Sequence, residues 1–203
     1  MIEQRPEEHL IVGLGNPDTE YADTRHNLGF ACVRELARRL GVPVERKRWQ
    51  SLVGRSDEHH VWLVMPQTYM NLSGQAVAKA LRDIDATPQR TWVVYDELDL
   101  PLCRMRIRRG GSDAGHNGVL SLIQSLGTED FVRFRVGIGK PARKGSPAGR
   151  HHVLGRFTKA EAERLPSVID GVATALELAL DSGVERAMER FNRPGALGCE
   201  ELR

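Results

Sequence analysis

Cysteine is scarce in this 203-residue chain: Cys32, Cys103 and Cys199 lie far apart, with no CxxC pair. That set reads neither as a disulfide scaffold nor as a thiolate zinc site, and it points to a reducing cytoplasm. No apolar run nears the ~20 residues that span a bilayer. The first five residues lack the basic-then-apolar order of a secretory signal. There is no GxxxxGK[ST] loop, GxSxG elbow or HExxH helix. A dinucleotide fingerprint is incomplete too. Gly13 and Gly15 follow an apolar run, but Asp18 stands where the third glycine belongs. His59-His60 and His151-His152 are adjacent pairs whose side chains would diverge on a strand, and neither has a third ligand nearby. No metal site and no cofactor are expected.

What is present is ordinary for a globular protein: 40% hydrophobic and 28% charged residues. The length suits one compact domain, or at most two small ones, able to bury a core unaided. The net charge is only +2, but its placement is uneven. Between residues 104 and 150 ten Lys/Arg face three acids, giving +7 and leaving −5 for the rest. A basic stretch on a near-neutral chain implies a local anionic partner such as nucleic acid or phosphate.

Short apolar runs alternate with helical spacing. Leu10-Ile11-Val12, residues 61–65 and residues 91–95 read as buried strands. Val33, Leu36, Ala37 and Leu40 give a helix stopped by Gly41; Val77, Leu81 and Ile84 give a second; Leu120, Ile123 and Leu126 give a third stopped by Gly127. Cys103, Met105 and Ile107 alternate with Arg104, Arg106 and Arg108, which would place three guanidinium groups on one strand face. Val132, Phe134 and Val136 alternate with Arg133 and Arg135 in the same way. The basic, Gly- and Pro-rich stretch 139–152 reads as a mobile surface loop. Thr158 and Glu161 fit a capping box. A helix after Pro166 carries Ile169, Val172, Leu176 and Leu180; a shorter one spans 186–191, followed by a polar tail. The alternation predicts an α/β fold with helices on both faces of a mixed sheet.

In such sheets ligands bind beyond the carboxyl ends of the strands. Asn16, His26 and Asp96 each follow a predicted strand end closely. A histidine can act as a base near neutrality, and a carboxylate on one ring nitrogen would fix its tautomer. No activated Ser or Cys accompanies them, so water would be the nucleophile. Asn16, Asn71 and Asn117 are either turn formers or holders of an amide-containing substrate, since each side chain offers a donor and an acceptor.

Six blocks then carry a resemblance: Gly13-Leu14-Gly15-Asn16-Pro17, Thr24-Arg25-His26-Asn27, Thr68-Tyr69-Met70-Asn71-Leu72-Ser73-Gly74, Asp96-Glu97-Leu98-Asp99-Leu100-Pro101, Gly115-His116-Asn117-Gly118 and Arg135-Val136-Gly137-Ile138-Gly139, with Glu20-Tyr21 between the first two. In order and spacing, over roughly residues 9 to 193, the chain resembles the bacterial peptidyl-tRNA hydrolases. The resemblance implies a single-domain α/β/α sandwich with a twisted mixed sheet, acting as a cytoplasmic monomer. It implies hydrolysis of the ester between peptide and tRNA, which recycles tRNA from aborted translation. By matching positions His26 would be the base and Asp96 its partner, with Asn16 distinguishing N-blocked substrates. Tyr21, Tyr69, Asn71 and Asn117 would line the site for the peptide and the tRNA end. Arg108 and Arg135, with Arg106 beside them, would hold the tRNA 5′ phosphate. Lid segments would fall near 110–118 and 140–155, and the tail at 194–203.

The chain departs from that pattern at Asp18, where a glycine is usual, at Met65, where a lysine is common, at Ser112-Asp113-Ala114, which interrupts a loop usually richer in glycine, and at His152, which takes an aromatic position. Two rivals remain at this level. An RNA-binding relative without hydrolysis would not need the His26–Asp96 pair, and a small-ester hydrolase would not need the +7 stretch.

Overall fold

The computed structural model describes residues 8–141 and 146–201. Among these residues seven strands, β1 (His9–Gly13), β2 (Arg46–Arg48), β3 (Ser51–Ser56), β4 (Val61–Pro66), β5 (Thr91–Glu97), β6 (Met105–Arg109) and β7 (Val132–Gly137), form one sheet in the order β2-β3-β4-β1-β5-β7-β6. The central four, β4, β1, β5 and β7, are parallel, so their carboxyl ends share one edge. β2, β3 and β6 pair antiparallel at the flanks.

β4 and β5 are buried at every position, as continuous apolar runs in a covered parallel sheet must be. Along β1 the pleat divides neighbours: Ile11 faces one core, Leu10 and Val12 the other. The first core is closed by α1 (Leu28–Arg39), α6 (Leu165–Ser182) and α7 (Val184–Phe191); the second by α2 (Ser73–Ile84) and α3 (Asn117–Leu126). The α/β architecture with a mixed sheet and helices on both faces is as expected. Gly127, at φ +68°, ends α3 with its N–H on the Ile123 carbonyl.

Two glycines set the position of α1. A Cβ on Gly29 would lie 2.3 Å from the Val94 carbonyl oxygen, and one on Gly13 would lie 2.5 Å from the Gly29 oxygen. Without side chains there, the first turn of α1 packs directly on the ends of β1 and β5. The 3-10 turn Arg25–Asn27, immediately before α1, is thereby carried to the end of β5.

Several expectations need correction. β2 and β3 were not expected: β2 is the three-residue Arg-Lys-Arg edge, too short and polar to show a period, with charge of the kind that keeps edges from pairing further. Arg104 does not share the arginine face, because β6 begins at Met105 and Arg104 instead pairs with Glu201 at 2.9 Å. The stretch expected as a mobile loop contains α4 (Ser146–Val153), followed by α5 (Lys159–Ala162) under the Thr158–Glu161 capping box. Residues 142–145 of that expected lid lie outside the described residues.

The tail is not simply polar. Asn192 accepts the Ile107 N–H at 2.7 Å and donates to its carbonyl at 3.0 Å, standing in for a strand partner on the free edge of β6. Leu197 is buried against Gly171, and Cys199 is joined to Cys103 by a disulfide with a Cα–Cα distance of 5.6 Å. This corrects the reading of the three cysteines as pointing away from a disulfide and toward a reducing compartment: the spacing could not show the pairing, since only the docked tail brings the two together.

Candidate active site

A cleft of about 760 Å³ opens at the carboxyl edge of the parallel strands. Asn16 reaches it from the end of β1 and His26 from the turn before α1. Tyr69 and Asn71 come from the β4–α2 connection, Asp96 from the end of β5 and Asn117 from the start of α3. Tyr21 stands at the mouth, and Gly149, Arg150 and Val153 of α4 form part of the opposite wall.

His26 and Asp96 are both buried, and Nδ1 of the ring lies 2.8 Å from Asp96 Oδ1. A carboxylate oxygen accepts, so Nδ1 carries the proton and Nε2 keeps its lone pair. Burial alone would lower the His26 pKa, but the charge and hydrogen bond of Asp96 outweigh it and raise the value above 6.5. Burial would likewise raise Asp96, yet His26 and His116 hold its carboxyl well below the usual range.

Asn16 is fixed at both ends. Its backbone N–H donates to Asn27 Oδ1 at 2.9 Å, and Asn27 Nδ2 donates to its carbonyl at 3.0 Å. Its side-chain Oδ1 accepts the Met70 N–H at 2.9 Å, which leaves Nδ2 as the uncommitted donor. Asn71 and Asn117 are exposed, and their side chains hydrogen-bond to none of the described residues. Gly74, in the first turn of α2 just after Asn71, lets α2 lie directly on α3: a Cβ there would lie 2.0 Å from the Ser121 carbonyl oxygen. Tyr69 donates its hydroxyl to Asp18 Oδ2 at 3.0 Å.

Beyond the cleft, β6 and β7 place Arg106 opposite Arg135 and Arg108 opposite Arg133. Arg106 and Arg108 are exposed, and Arg108 lies against Gly111. Arg135 is ion-paired with Glu97. Arg133 is fully buried and donates to the Ser112 carbonyl at 2.5 Å, tying the 110–118 loop to the sheet. Arg25, also buried, anchors the segment after α4 through the Arg156 carbonyl at 2.6 Å and Glu161 at 2.6 Å.

Seven of the ten expected site residues therefore line one cleft, and the three arginines form a separate run beside it. Sequence reasoning missed Asn27, Glu97 and His116. Each sits inside a motif block already singled out, next to a residue that was chosen. Among the described residues the ring and carboxylate atoms of His26, Asp96 and His116 form one group with the spacing of metal ligands, all within 4.8 Å. The separations facing Asp96, 2.8 and 3.1 Å, are those of two hydrogen bonds to one oxygen.

Residues 10–197 match the family model described as peptidyl-tRNA hydrolase. The chain is 41% identical over 185 residues to a peptidyl-tRNA hydrolase of Syntrophotalea carbinolica, covering 90% of this chain and 96% of that relative. It is 46% identical over 195 residues to one from Synechococcus sp. strain JA-3-3Ab, covering 93% and 86%. The crystal structure of peptidyl-tRNA hydrolase from Acinetobacter baumannii superimposes with a TM-score of 0.85 at 35% identity, covering 92% of this chain and 95% of that one.

Proposed function

The chain belongs to the peptidyl-tRNA hydrolase family, and from that premise we propose that it hydrolyses the ester joining a peptide to tRNA, with His26 as general base. The observation that carries this reading is the 2.8 Å contact between His26 Nδ1 and Asp96 Oδ1, which leaves Nε2 free on the cleft wall. Nε2 takes a proton from water as the water oxygen bonds to the ester carbonyl carbon. Asp96 stabilises the imidazolium that results. As the ester C–O bond breaks, the imidazolium returns the proton to the ribose oxygen, and free peptide acid and tRNA leave. A positioned base of this kind contributes ~10²–10⁴-fold.

Asn71 and Asn117 offer uncommitted amides to the peptide, the water and the developing oxyanion. The Nδ2 of Asn16, held rigid by Asn27 and Met70, suits the carbonyl of a blocked amino group, which supports its role in preferring N-blocked substrates. Arg106, Arg108 and Arg135 are proposed to hold the phosphate backbone near the acceptor stem and 3′ end, because guanidinium forks match phosphate oxygens. The chain is proposed to act as a monomer and a single domain with its core at about 9–193, without a cofactor, and in the cytoplasm on the strength of the family likeness, since the Cys103–Cys199 disulfide removes the cysteine argument for that location. No helix among the described residues is long and apolar enough to cross a membrane.

The test is release of tRNA from an N-blocked aminoacyl-tRNA, with unblocked aminoacyl-tRNA in parallel and chelator present. Cleavage of the blocked substrate alone supports the whole reading. Tight tRNA binding without cleavage overturns it in favour of an RNA-binding protein.

A further inference from the structure

His116 sits where the partner of the base meets the first turn of α3, and its two ring nitrogens have opposite tasks. Nδ1 accepts the backbone N–H groups of Gly118 and Val119 at 3.2 and 3.3 Å, capping the helix as a Ser or Asn side chain would. A ring nitrogen that accepts carries no proton, so this imidazole is neutral with its proton on Nε2. Nε2 lies 3.1 Å from Asp96 Oδ1, the same oxygen that receives His26 Nδ1. The ring is held from both sides, its centroid 4.9 Å from that of His26 and 4.9 Å from that of Tyr95. The two amide contacts fix which edge of the ring faces α3 and which faces Asp96.

We infer that His116 is a positioning residue for the reaction: the α3 amides fix its proton on Nε2, and by sharing Asp96 Oδ1 with His26 it limits how much of that carboxylate reaches the base. The inference rests on the reading of His26 as the base. A carboxylate oxygen that already accepts one N–H interacts less strongly with a second donor than a bare one does. Without the His116 donor, Asp96 binds the His26 imidazolium more tightly, and His26 keeps its proton to higher pH. The titratable groups around the cleft are Asp96 and Glu97 of β5, His116, Tyr21 and Tyr69 at the mouth and Arg150 of α4. Of these, Asp96 is the one that acts on His26 through both charge and a hydrogen bond.

Two substitutions separate the tasks. His116→Asn places an amide oxygen near the position of Nδ1 and so preserves the cap, but it has nothing at the position of Nε2. His116→Gln places an amide nitrogen near Nε2 and gives up the cap. The readouts are the pH dependence of kcat/KM on N-blocked aminoacyl-tRNA, NMR titration of the His26 ring and thermal unfolding.

The Asn variant should unfold near the wild-type temperature. Its His26 titration and its acid limb should both move up by about 0.5–1 pH unit, a fraction of one hydrogen bond to a charged group. Its kcat at pH 7 should fall several-fold with KM unchanged. The Gln variant should return the titration toward wild type while unfolding at a lower temperature. A wild-type His26 titration in the Asn variant, or a Gln variant that restores nothing, would make His116 a helix cap alone and overturn the inference. Wild-type turnover by His26→Ala would instead overturn the base reading, which the ring titration distinguishes because it does not depend on turnover.

Discussion

Arg135 lays its guanidinium on Glu97, with Nε and a terminal nitrogen each 2.8 Å from the same carboxylate oxygen. Both side chains are largely buried, so a residue proposed to hold tRNA phosphate is already neutralised by its neighbour. Arg135→Ala therefore does two things at once: it removes a phosphate contact and strands a buried carboxylate, a change of the kind that costs about 3–5 kcal/mol. The double variant Arg135→Ala/Glu97→Gln should recover most of that stability in urea unfolding while KM for peptidyl-tRNA stays raised. Recovery of KM along with stability would remove Arg135 from the phosphate contact.

Arg108 is the cleaner probe, because it is exposed and no hydrogen bond or ion pair binds it among the described residues. Arg108→Ala should raise KM with kcat kept. It should also flatten the slope of log KM against log salt by about one, the loss of one released counterion. An unchanged slope would place Arg108 outside the tRNA contact.

The acid limb of kcat/KM should report His26. The base must be unprotonated and Asp96 raises its pKa, so the limb should lie above 6.5 and activity should fall as the pH drops through it. Asp96→Asn removes the charge that opposes burial, so the limb should move to lower pH. The maximal rate should drop by ~10²–10⁴ as the tautomer and the imidazolium lose their support. A limb that stays in place in Asp96→Asn would show that another group titrates.

The catalytic end of this molecule was legible because its residues lie in short local motifs at strand ends, where α/β topology leaves little choice of position. Asn16, His26 and Asp96 could be aligned from periodicity and turn chemistry before any resemblance was invoked. The partners were not legible. Asn27 and Glu97 act on Asn16 and Arg135 through space, and His116 looks like one more loop histidine until α3 is built onto it. The alternating arginines misled for a related reason. Period two assigns a face but not its cover, so it could not show that Arg133 lies beneath the 110–118 loop while Arg106 and Arg108 stay in solvent. The Cys103–Cys199 link spans 96 residues and depends on how the tail docks, which no local pattern encodes.

Asp18 fills a position where glycine is usual in the resemblance, and here it holds the Tyr69 hydroxyl at 3.0 Å beside the cleft mouth. With Glu20 it raises the phenol pKa of Tyr69, first through the Asp18 hydrogen bond and then through charge. An acidic mouth should favour N-blocked lysyl- over glutamyl-tRNA. Asp18→Asn keeps an acceptor for Tyr69 and removes the charge. The ratio of kcat/KM for the two substrates should then fall up to about fivefold, the scale of one exposed charge near 1 kcal/mol. A ratio that does not move would assign Asp18 to holding Tyr69 only.

The disulfide should govern stability and not turnover. It closes a separation of 96 residues, for which chain entropy predicts about 4–5 kcal/mol. The loop that carries Cys103 is also held without it: the Gly137 N–H donates to the Arg104 carbonyl at 2.8 Å, and the Gly139 N–H donates to the Leu100 carbonyl at 2.8 Å. Those bonds fix the strand ends behind Glu97 whether or not the sulfurs are joined, so Cys199→Ser should hydrolyse substrate at the wild-type rate at 25 °C. In urea it should unfold earlier than oxidised wild type and coincide with wild type in reductant. Alkylation of the unfolded chain should label Cys32 alone before reduction and all three cysteines after it. If Cys199→Ser instead loses activity while keeping its stability, the tail acts on the cleft through the Leu100–Arg104 loop, and its docking is part of the catalytic architecture.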